Sequence, residues 1–517
     1  MKHTFFPVIA GIFLGLPFEK EANAKKPNII IIVADDMGFS DLGCYGSEIR
    51  TPNLDRLASE GIRFSQFYNC ALCGPSRAAL MTGRFPHQVG ITKWTGLLNN
   101  RCVTMFELFK RSGYATCAVG RMDMVTAEDW HEPLNIGRYV DSFLGTVNYK
   151  GPGNYFKDVR YNQFYRDGKP FPIPDGVYVP DLITDFATEF IRNTDRKRPF
   201  FLYLSHEAPH WPLHAKPEDI AKYRELYLHL GWDSVRQQRL GQLIVKGVLP
   251  AGTRLSPRDK RVTAWSEVKF KEWEAERMAT YAAQIDCLDQ NVGRVLEELH
   301  RCGADNNTLI FFLSDNGASD QAGSSLLDEP GRTWRIDGTP TKVGNQPDIQ
   351  PGPADNFVTA GPAWSNVSNG PFREHKQSNY EGGISSPLIV WWPGVISPTG
   401  TVNPELSHIT DITATCLDVA GVAYPQPFTN RNVLPLAGQS LLPILKGGHR
   451  IGHASLCWAT SAARAVRVGP WKLVSAKNGP WELYDLNVDR TELNNLAKQQ
   501  PERVTSMNNL FEEWSNK

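Results

Sequence analysis

Short, uninterrupted apolar runs recur along the chain, each leading into residues of a different character. Ile29-Ile30-Ile31-Ile32-Val33 is the first and is followed by Asp35-Asp36. Ala115 to Val119 ends at Arg121, Phe200 to Leu204 leads to His206 and His210, and Leu309 to Leu313 runs into Asp315-Asn316. Leu388 to Trp392 is a further run, with Lys376 in the segment before it. Continuous apolar runs of this length are expected of strands covered on both faces. Helical patterns separate them. Thr104-x-x-Glu107 has capping-box spacing with Gly113 as a stop, and Glu272 to His300 is a long amphipathic stretch closed by Gly303. This alternation predicts an α/β fold, a large, mostly parallel sheet sandwiched by helices. In such sheets ligands bind beyond the carboxyl ends of the strands. Four runs end there in ionisable residues or an Asp-Asn pair, so the site is expected at that edge.

Two stretches break the pattern. Asp320 to Arg373 is rich in Pro, Gly and Asn with weak periodicity, and Trp334, Phe357, Trp364 and Phe372 give it apolar anchors. An ordered wall of the pocket is expected. Beyond residue 445, alternating segments such as Ala465 to Val468 and Trp471 to Val474 precede a helical pattern from Pro501 to Trp514. They predict a small antiparallel sheet with a helix over 446–517, packed on a main domain of 25–445. At the other end, Lys2 and His3 precede an apolar run from Phe5 to Leu16, and Ala22-Asn23-Ala24 offers a small-residue cleavage site. That order is expected of a secretory signal over residues 1–24, placing the mature chain in the periplasm or outside the cell. The run is short for a membrane span, and no later apolar stretch is long enough for one.

Composition narrows the functional classes. With 517 residues, 41% hydrophobic, the chain has volume for a large buried core. Its 55 basic and 55 acidic residues balance, so no net field recruits nucleic acid or an acidic membrane. Nine cysteines are an odd, sparse set and argue against a disulfide scaffold.

The most informative stretch is Cys73-Gly74-Pro75-Ser76-Arg77-Ala78-Ala79-Leu80-Met81-Thr82-Gly83-Arg84. Pro75 suits a first helical turn, so Cys73 is expected at a helix N-terminus, where N–H groups and the dipole favour negative charge. Arg77 shares its helical face. A nucleophile beside a guanidinium fork suits an oxyanion such as sulfate or phosphate. Cys70-x-x-Cys73 also has the spacing of a redox pair or half a zinc site, but no second Cys-x-x-Cys completes the latter. Asp35, Asp36, Asp315 and Asn316 are all oxygen donors, which fits a hard cation such as Ca²⁺ rather than zinc. Taken alone, His210 could be structural and Lys376 a solvated loop cation.

The chain resembles the type I sulfatases of the alkaline phosphatase superfamily. Their signature, Cys-x-Pro-Ser-Arg followed by x-x-x-(Leu or Met)-Thr-Gly-Arg, is matched throughout by Cys73 to Arg84. Weaker similarity covers Pro27 to Gly38, Gly113 to Gly120, Ala208 to His210, Ser314 to Gly317, Lys376 to Gly383 and Glu482 to Leu486. The resemblance implies that a separate maturation enzyme converts Cys73 to formylglycine. It implies one Ca²⁺ held by Asp35, Asp36, Asp315 and Asn316, with the residue at position 73 completing the shell. It also implies that His210 and Lys376 hold the sulfate and protonate the leaving oxygen, with Arg77 and Arg121 carrying sulfuryl charge. One hydroxyl of the hydrated aldehyde attacks sulfur, and loss of the second hydroxyl's proton expels sulfate. His206, His214 and His375 are at most pocket-lining.

One departure stands out. The family usually carries Gly-Lys-Trp-His where this chain reads Gly120-Arg121-Met122-Asp123. Arg121 keeps the charge in a fork geometry. The base for sulfate release is left between Asp123 and His131. Two rivals remain: a phosphatase or phosphodiesterase of the same superfamily, with a Ser or Thr nucleophile and two zinc ions, and a non-catalytic binder of sulfated glycans with Cys73 as a thiol. For the substrate, many Trp and Tyr suit sulfated carbohydrates, with small aryl sulfates turned over as well.

Overall fold

The computed structural model describes residues 25–93, 96–122, 125–126, 139–146, 155–156, 164–322, 339–476 and 479–516. The N-terminal segment, Asp123, His131 and Trp334 lie outside them. A ten-stranded sheet forms the centre. Its middle runs, in spatial order, Thr308–Ser314, Asn28–Asp35, Phe200–Pro209, Ala115–Arg121 and Ser142–Thr146, every neighbouring pair parallel.

The apolar runs are buried on both faces, as their continuity requires. Ile30, Ile32 and Ala34 enter one core while Ile29, Ile31 and Val33 enter the other. Leu202 and Leu204 against Phe201 and Tyr203, and Ile310 and Phe312 against Phe311 and Leu313, divide the same way. Strand side chains alternate faces, so one run feeds two cores. Helix Lys271–Arg301 covers the first face with Met278, Ile285, Leu288 and Val292. Helix Cys73–Thr82 covers the second with Ala78, Ala79, Leu80 and Met81. The Thr104 cap is present: Glu107 N donates to Thr104 Oγ1 at 3.3 Å and Thr104 N to Glu107 Oε2 at 2.9 Å. Among the described residues no helix is long and apolar enough to cross a membrane.

One of the five strands expected from the apolar runs departs from the parallel expectation. Leu388–Trp391 pairs antiparallel with Thr308–Ser314, Leu388 opposite Leu313. Its beginning, not its end, therefore lies at the edge where the other strands finish, and the segment carrying Lys376 arrives there directly.

Within Asp320 to Arg373, the described anchors are buried. Trp364 packs edge-on against Trp232 and Tyr227, Phe372 lies 4.8 Å from Phe39, and Phe357 joins Trp211.

The last strands form a four-stranded antiparallel sheet, Leu456–Ala459, Ala463–Val468, Trp471–Ala476 and Glu482–Asp485, followed by helix Pro501–Ser515. One face of it packs Leu456, Trp458, Val474 and Tyr484 against Tyr68, Tyr380 and Ile384. Lys472, on the same sheet, is completely buried, its Nζ 2.9 Å from Glu381 Oε1 and 2.8 Å from Glu492 Oε1. Burial works against the Glu381 carboxylate, yet Lys472, Arg490 and Arg467 hold its pKa below the usual range. Burial pushes Glu492 the other way, upward, with Glu381 adding to it against the pull of Lys472. A buried pair robbed of one partner leaves an uncompensated charge. Lys472→Met is therefore expected to destabilise the protein by about 3–5 kcal/mol in urea unfolding followed by circular dichroism. A loss under about 1 kcal/mol, the range of exposed pairs, would contradict that reading.

Candidate active site

The helix Cys73–Thr82 begins at Cys73, with Leu72 as its extended N-cap. Leu72 brings no side-chain cap, and the approach is fixed by one side chain of the helix and one that precedes it. Ser76 Oγ accepts from Cys70 N at 2.9 Å, and Asn69 Oδ1 accepts from Ala71 N at 2.7 Å. Gly83 ends the helix at φ 65, a left-handed conformation suited to glycine, and donates to Ala79 O at 2.9 Å. The signature thus consists of an entry brace, a first turn carrying the nucleophile position, a charged face and a stop.

Arg77 is fully buried and points across the sheet edge. Its Nε donates to Asp315 Oδ2 at 2.9 Å and its Nη2 to Asp35 Oδ2 at 3.2 Å. Its Nη1 reaches Tyr203 Oη at 3.2 Å, the Arg121 carbonyl at 3.3 Å, and Ser205 Oγ. Arg121, at the end of its strand, forks between Asp35 and Cys73: Nη1 donates to Asp35 Oδ2, and Nη2 lies 3.2 Å from Cys73 Sγ. Arg121, the residue noted as the family departure, therefore touches Cys73 directly.

Asp36 follows its strand at φ 63, an uncommon left-handed conformation for a residue with a side chain. It accepts from Lys376 Nζ at 2.5 Å and from Asn316 Nδ2 at 2.6 Å on Oδ1, and its N–H donates to Asp315 Oδ1 at 3.3 Å. His210 Nε2 lies 3.5 Å from Asp36 Oδ2. His210 Nδ1 is 2.6 Å from the Trp211 carbonyl, which can only accept, so that nitrogen carries the proton. Tyr155 Oη donates to the His210 carbonyl at 2.7 Å, and Trp211 stacks on the imidazole.

The charges shift one another. Burial raises Asp35, but Arg121, His210, Arg77 and Lys376 hold it well below the usual carboxylate range. Burial and Asp35 push Asp315 up despite Arg77. Burial lowers His210 against the pull of Asp36, and Lys376 is raised by Asp36, Cys73 and Asp35 in spite of its burial.

The four predicted metal ligands converge, and the donors fit a hard cation. Asp35 Oδ1, Asp36 Oδ2 and Asn316 Oδ1 are buried oxygens with no hydrogen-bond partner. Buried polar atoms are ordinarily satisfied, so three such oxygens on one cluster fit a cation site. Ligand atoms of Asp35, Asp36 and His210 all lie within 4.8 Å of one another. An all-oxygen set with carboxylates is the donor chemistry of Ca²⁺ or Mg²⁺.

The loop bearing Lys376 is held by backbone. Lys376 N donates to Ala318 O at 3.1 Å, Gln377 N to Ala71 O at 2.8 Å and Gly317 N to Gly383 O at 3.1 Å. A Cβ on Gly317 would fall 1.9 Å from Gly382 O, and one on Gly383 2.0 Å from Ser378 O. Gly317 thus lets the Asn316 loop approach the Lys376 loop, and Gly383 lets the latter fold tightly on itself.

The other histidines lie apart from this chemistry. His375 is buried between Ser365 Oγ at 3.0 Å and Asp259 Oδ2 at 2.9 Å. His206 and His214 are fully buried and pushed down to about 4 by burial, which keeps them neutral. Asp123 and His131 lie outside the described residues. Tyr203, Ser205 and Tyr155 escaped the sequence reading. The one available signal was the pair of polar atoms at Tyr203 and Ser205, alternate positions at the end of an apolar run.

Residues 27–422 match the family model described as Sulfatase, and residues 374–516 match one described as N-sulphoglucosamine sulphohydrolase, C-terminal. The arylsulfatase of Klebsiella aerogenes is 30% identical, covering 84% of this chain and 95% of that protein. The N-acetylgalactosamine-6-sulfatase of Rattus norvegicus is also 30% identical, covering 94% of this chain and 78% of its own. Among solved structures, that of Ps i-CgsB superposes with a TM-score of 0.69 at 26% identity, covering 95% of this chain and 93% of its own. A helix-borne Cys-x-Pro-Ser-Arg motif, an alkaline phosphatase-like sheet and these likenesses agree: the chain belongs to the type I sulfatase family and is a sulfuric ester hydrolase.

Proposed function

We propose that the protein hydrolyses sulfate esters of carbohydrates through formylglycine at position 73, with one Ca²⁺ held by Asp35, Asp36, Asp315 and Asn316. The observation that carries this reading is the position of Cys73. It opens a helix, 3.2 Å from Arg121 Nη2, and both Arg121 and Arg77 share Asp35 with the orphaned carboxylate oxygens.

Formylglycine at position 73, once hydrated, would supply one hydroxyl to bond sulfur as the ester S–O bond breaks, and a second whose deprotonation would release sulfate and restore the aldehyde. The divalent ion supplies positive charge for the sulfuryl oxygens and for the nucleophile. The remaining work falls to the side chains. Arg77, Arg121 and Lys376 already balance the three carboxylates Asp35, Asp36 and Asp315, so a bound divalent ion leaves the site with positive excess for an anionic ester. Arg121 steadies the oxygen on residue 73 and spreads charge over a planar fork. Preorganised cations in a dry site act more strongly than in water and need no reorientation during reaction. His210, with Nδ1–H held by the Trp211 carbonyl, presents Nε2 to the site, and its imidazolium form or Lys376 delivers a proton to the departing alcohol oxygen. Asp123 or His131 takes the proton that drives sulfate release.

The class of substrate is supported by the relatives. One acts on N-acetylgalactosamine 6-sulfate by its name, and Ps i-CgsB was solved with k-i-k-neocarrahexaose. Aryl sulfates are proposed as secondary substrates, in keeping with the Klebsiella aerogenes arylsulfatase. Residues 1–24 are proposed to direct export to the periplasm or beyond the cell, with residues 446–517 forming a C-terminal subdomain.

Mass spectrometry of the tryptic peptide Phe64 to Arg77, from a host that contains the maturation enzyme, is expected to show the aldehyde at position 73. Cys73→Ala is expected to lose turnover while keeping its far-ultraviolet circular dichroism. A plain thiol in fully active protein would refute the mechanism. Stopped-flow kinetics separates the two candidate bases. With Asp123 as the base, Asp123→Asn gives a burst of alcohol and then turnover slowed by about 10²–10⁴-fold. An unaffected Asp123→Asn beside a slowed His131→Gln would assign the role to His131.

A further inference from the structure

We infer that the C-terminal sheet sets the position of the Lys376 ammonium, acting through Glu381. This rests on the proposed role of Lys376 in holding the sulfuryl group. Lys376 lies on a loop that closes on itself where Gly382 N donates to Arg373 O at 3.0 Å. A Cβ on Gly382 would meet Arg373 O and Glu374 O at 2.4 Å, so the closure leaves no slack. Glu374 and Gln377, at φ 70 and φ 75, flank Lys376 in left-handed conformations that cost energy for residues with side chains. Such a loop keeps one shape only if its surroundings impose it.

Those surroundings come from the far end of the chain. Glu381 Oε1 accepts from Lys472 Nζ at 2.9 Å, and Glu381 Oε2 accepts from Tyr68 Oη at 2.7 Å and from Arg490 Nη2 at 3.3 Å. The Glu381 N–H donates to Glu492 Oε2 at 2.9 Å, and Arg373 Nη1 donates to the Glu492 carbonyl at 3.0 Å. Thr460 Oγ1, in the turn after strand Leu456–Ala459, donates to the Gln377 carbonyl at 2.8 Å. Lys472, Glu492 and Thr460 thus grip the loop on both sides of Lys376, whose Nζ ends 2.5 Å from Asp36 Oδ1. Glu381 is a positioning residue: its charge fixes the loop, and the loop fixes the ammonium.

A double-mutant cycle on the processed, full-length enzyme tests this. Glu381→Gln is measured with Lys376 intact and in a Lys376→Ala background, using 4-nitrophenyl sulfate turnover and calorimetric affinity for inorganic sulfate. A displacement near 1 Å can cost about 10²-fold in rate. With Lys376 present, Glu381→Gln is expected to lower kcat/KM by about 10–100-fold and to weaken sulfate binding. With Lys376→Ala, the same change is expected to cost less than about 2-fold in either readout, because coupled residues do not add. Equal losses in both backgrounds would overturn the inference, as would a folded Glu381→Gln enzyme with unchanged rate and sulfate affinity. Should Glu381→Gln fail to fold, Glu492→Gln, which keeps an acceptor for the Glu381 N–H, carries the same cycle. A wild-type enzyme inert toward every sulfate ester would contradict the proposed function instead, and the sulfate-affinity cycle would still decide the positioning role.

Discussion

Asp35, Asp36 and Asp315 are buried together where the parallel strands end, and the geometry of the site follows from what that crowding demands. Two like charges about 4 Å apart repel by about 4 kcal/mol at an effective dielectric of 20, a large part of the 5–15 kcal/mol that stabilises a typical domain. The protein answers with cations that come from separate parts of the chain: Arg77 from a helix, Arg121 from a strand end and Lys376 from a loop. Those contacts leave one oxygen each on Asp35, Asp36 and Asn316 unsatisfied. The proposed hard divalent ion would satisfy all three at once and turn a balanced cluster into an anion trap.

The fold delivers this arrangement economically. Parallel pairing aligns the ends of Thr308–Ser314, Asn28–Asp35, Phe200–Pro209 and Ala115–Arg121, so four strands contribute at one edge without long excursions. The antiparallel Leu388–Trp391 strand brings the Lys376 loop to the same edge from its own beginning. Helix Cys73–Thr82 then points its N-terminal turn at the edge while burying Ala78 to Met81 beneath the sheet. Packing and chemistry use opposite ends of the same ten-residue helix. The C-terminal sheet buries apolar surface on Tyr68 and Tyr380, and its buried ion cluster reaches the Lys376 loop.

Much of this was legible in the sequence, for physical reasons. Strands covered on both faces need uninterrupted apolar residues, so Ile29 to Val33 and Leu309 to Leu313 declare themselves, and a capping box has fixed spacing. The Cys73 to Arg84 motif is legible because a nucleophile, a guanidinium and a helix stop must keep their intervals along one helix. Periodicity carries no strand direction, which is why Leu388–Trp391 read like its neighbours. Lys472 sits in an alternating strand where a lysine ordinarily faces water; its burial depends on Glu381 and Glu492, and a partner distant in sequence leaves no local trace. His375, pocket-lining at most on the sequence, is held by Ser365 and Asp259, partners that its neighbours in sequence do not announce.

The central claim is that buried carboxylates at the strand ends hold one hard divalent ion. Calorimetric titration of Ca²⁺ into protein stripped with a chelator tests it most directly. The account predicts one Ca²⁺ per chain, heat of binding abolished in Asp36→Ala, and a thermal midpoint that rises with ion concentration. Absence of Ca²⁺ or Mg²⁺ binding, or uptake of two zinc ions per chain, would contradict it.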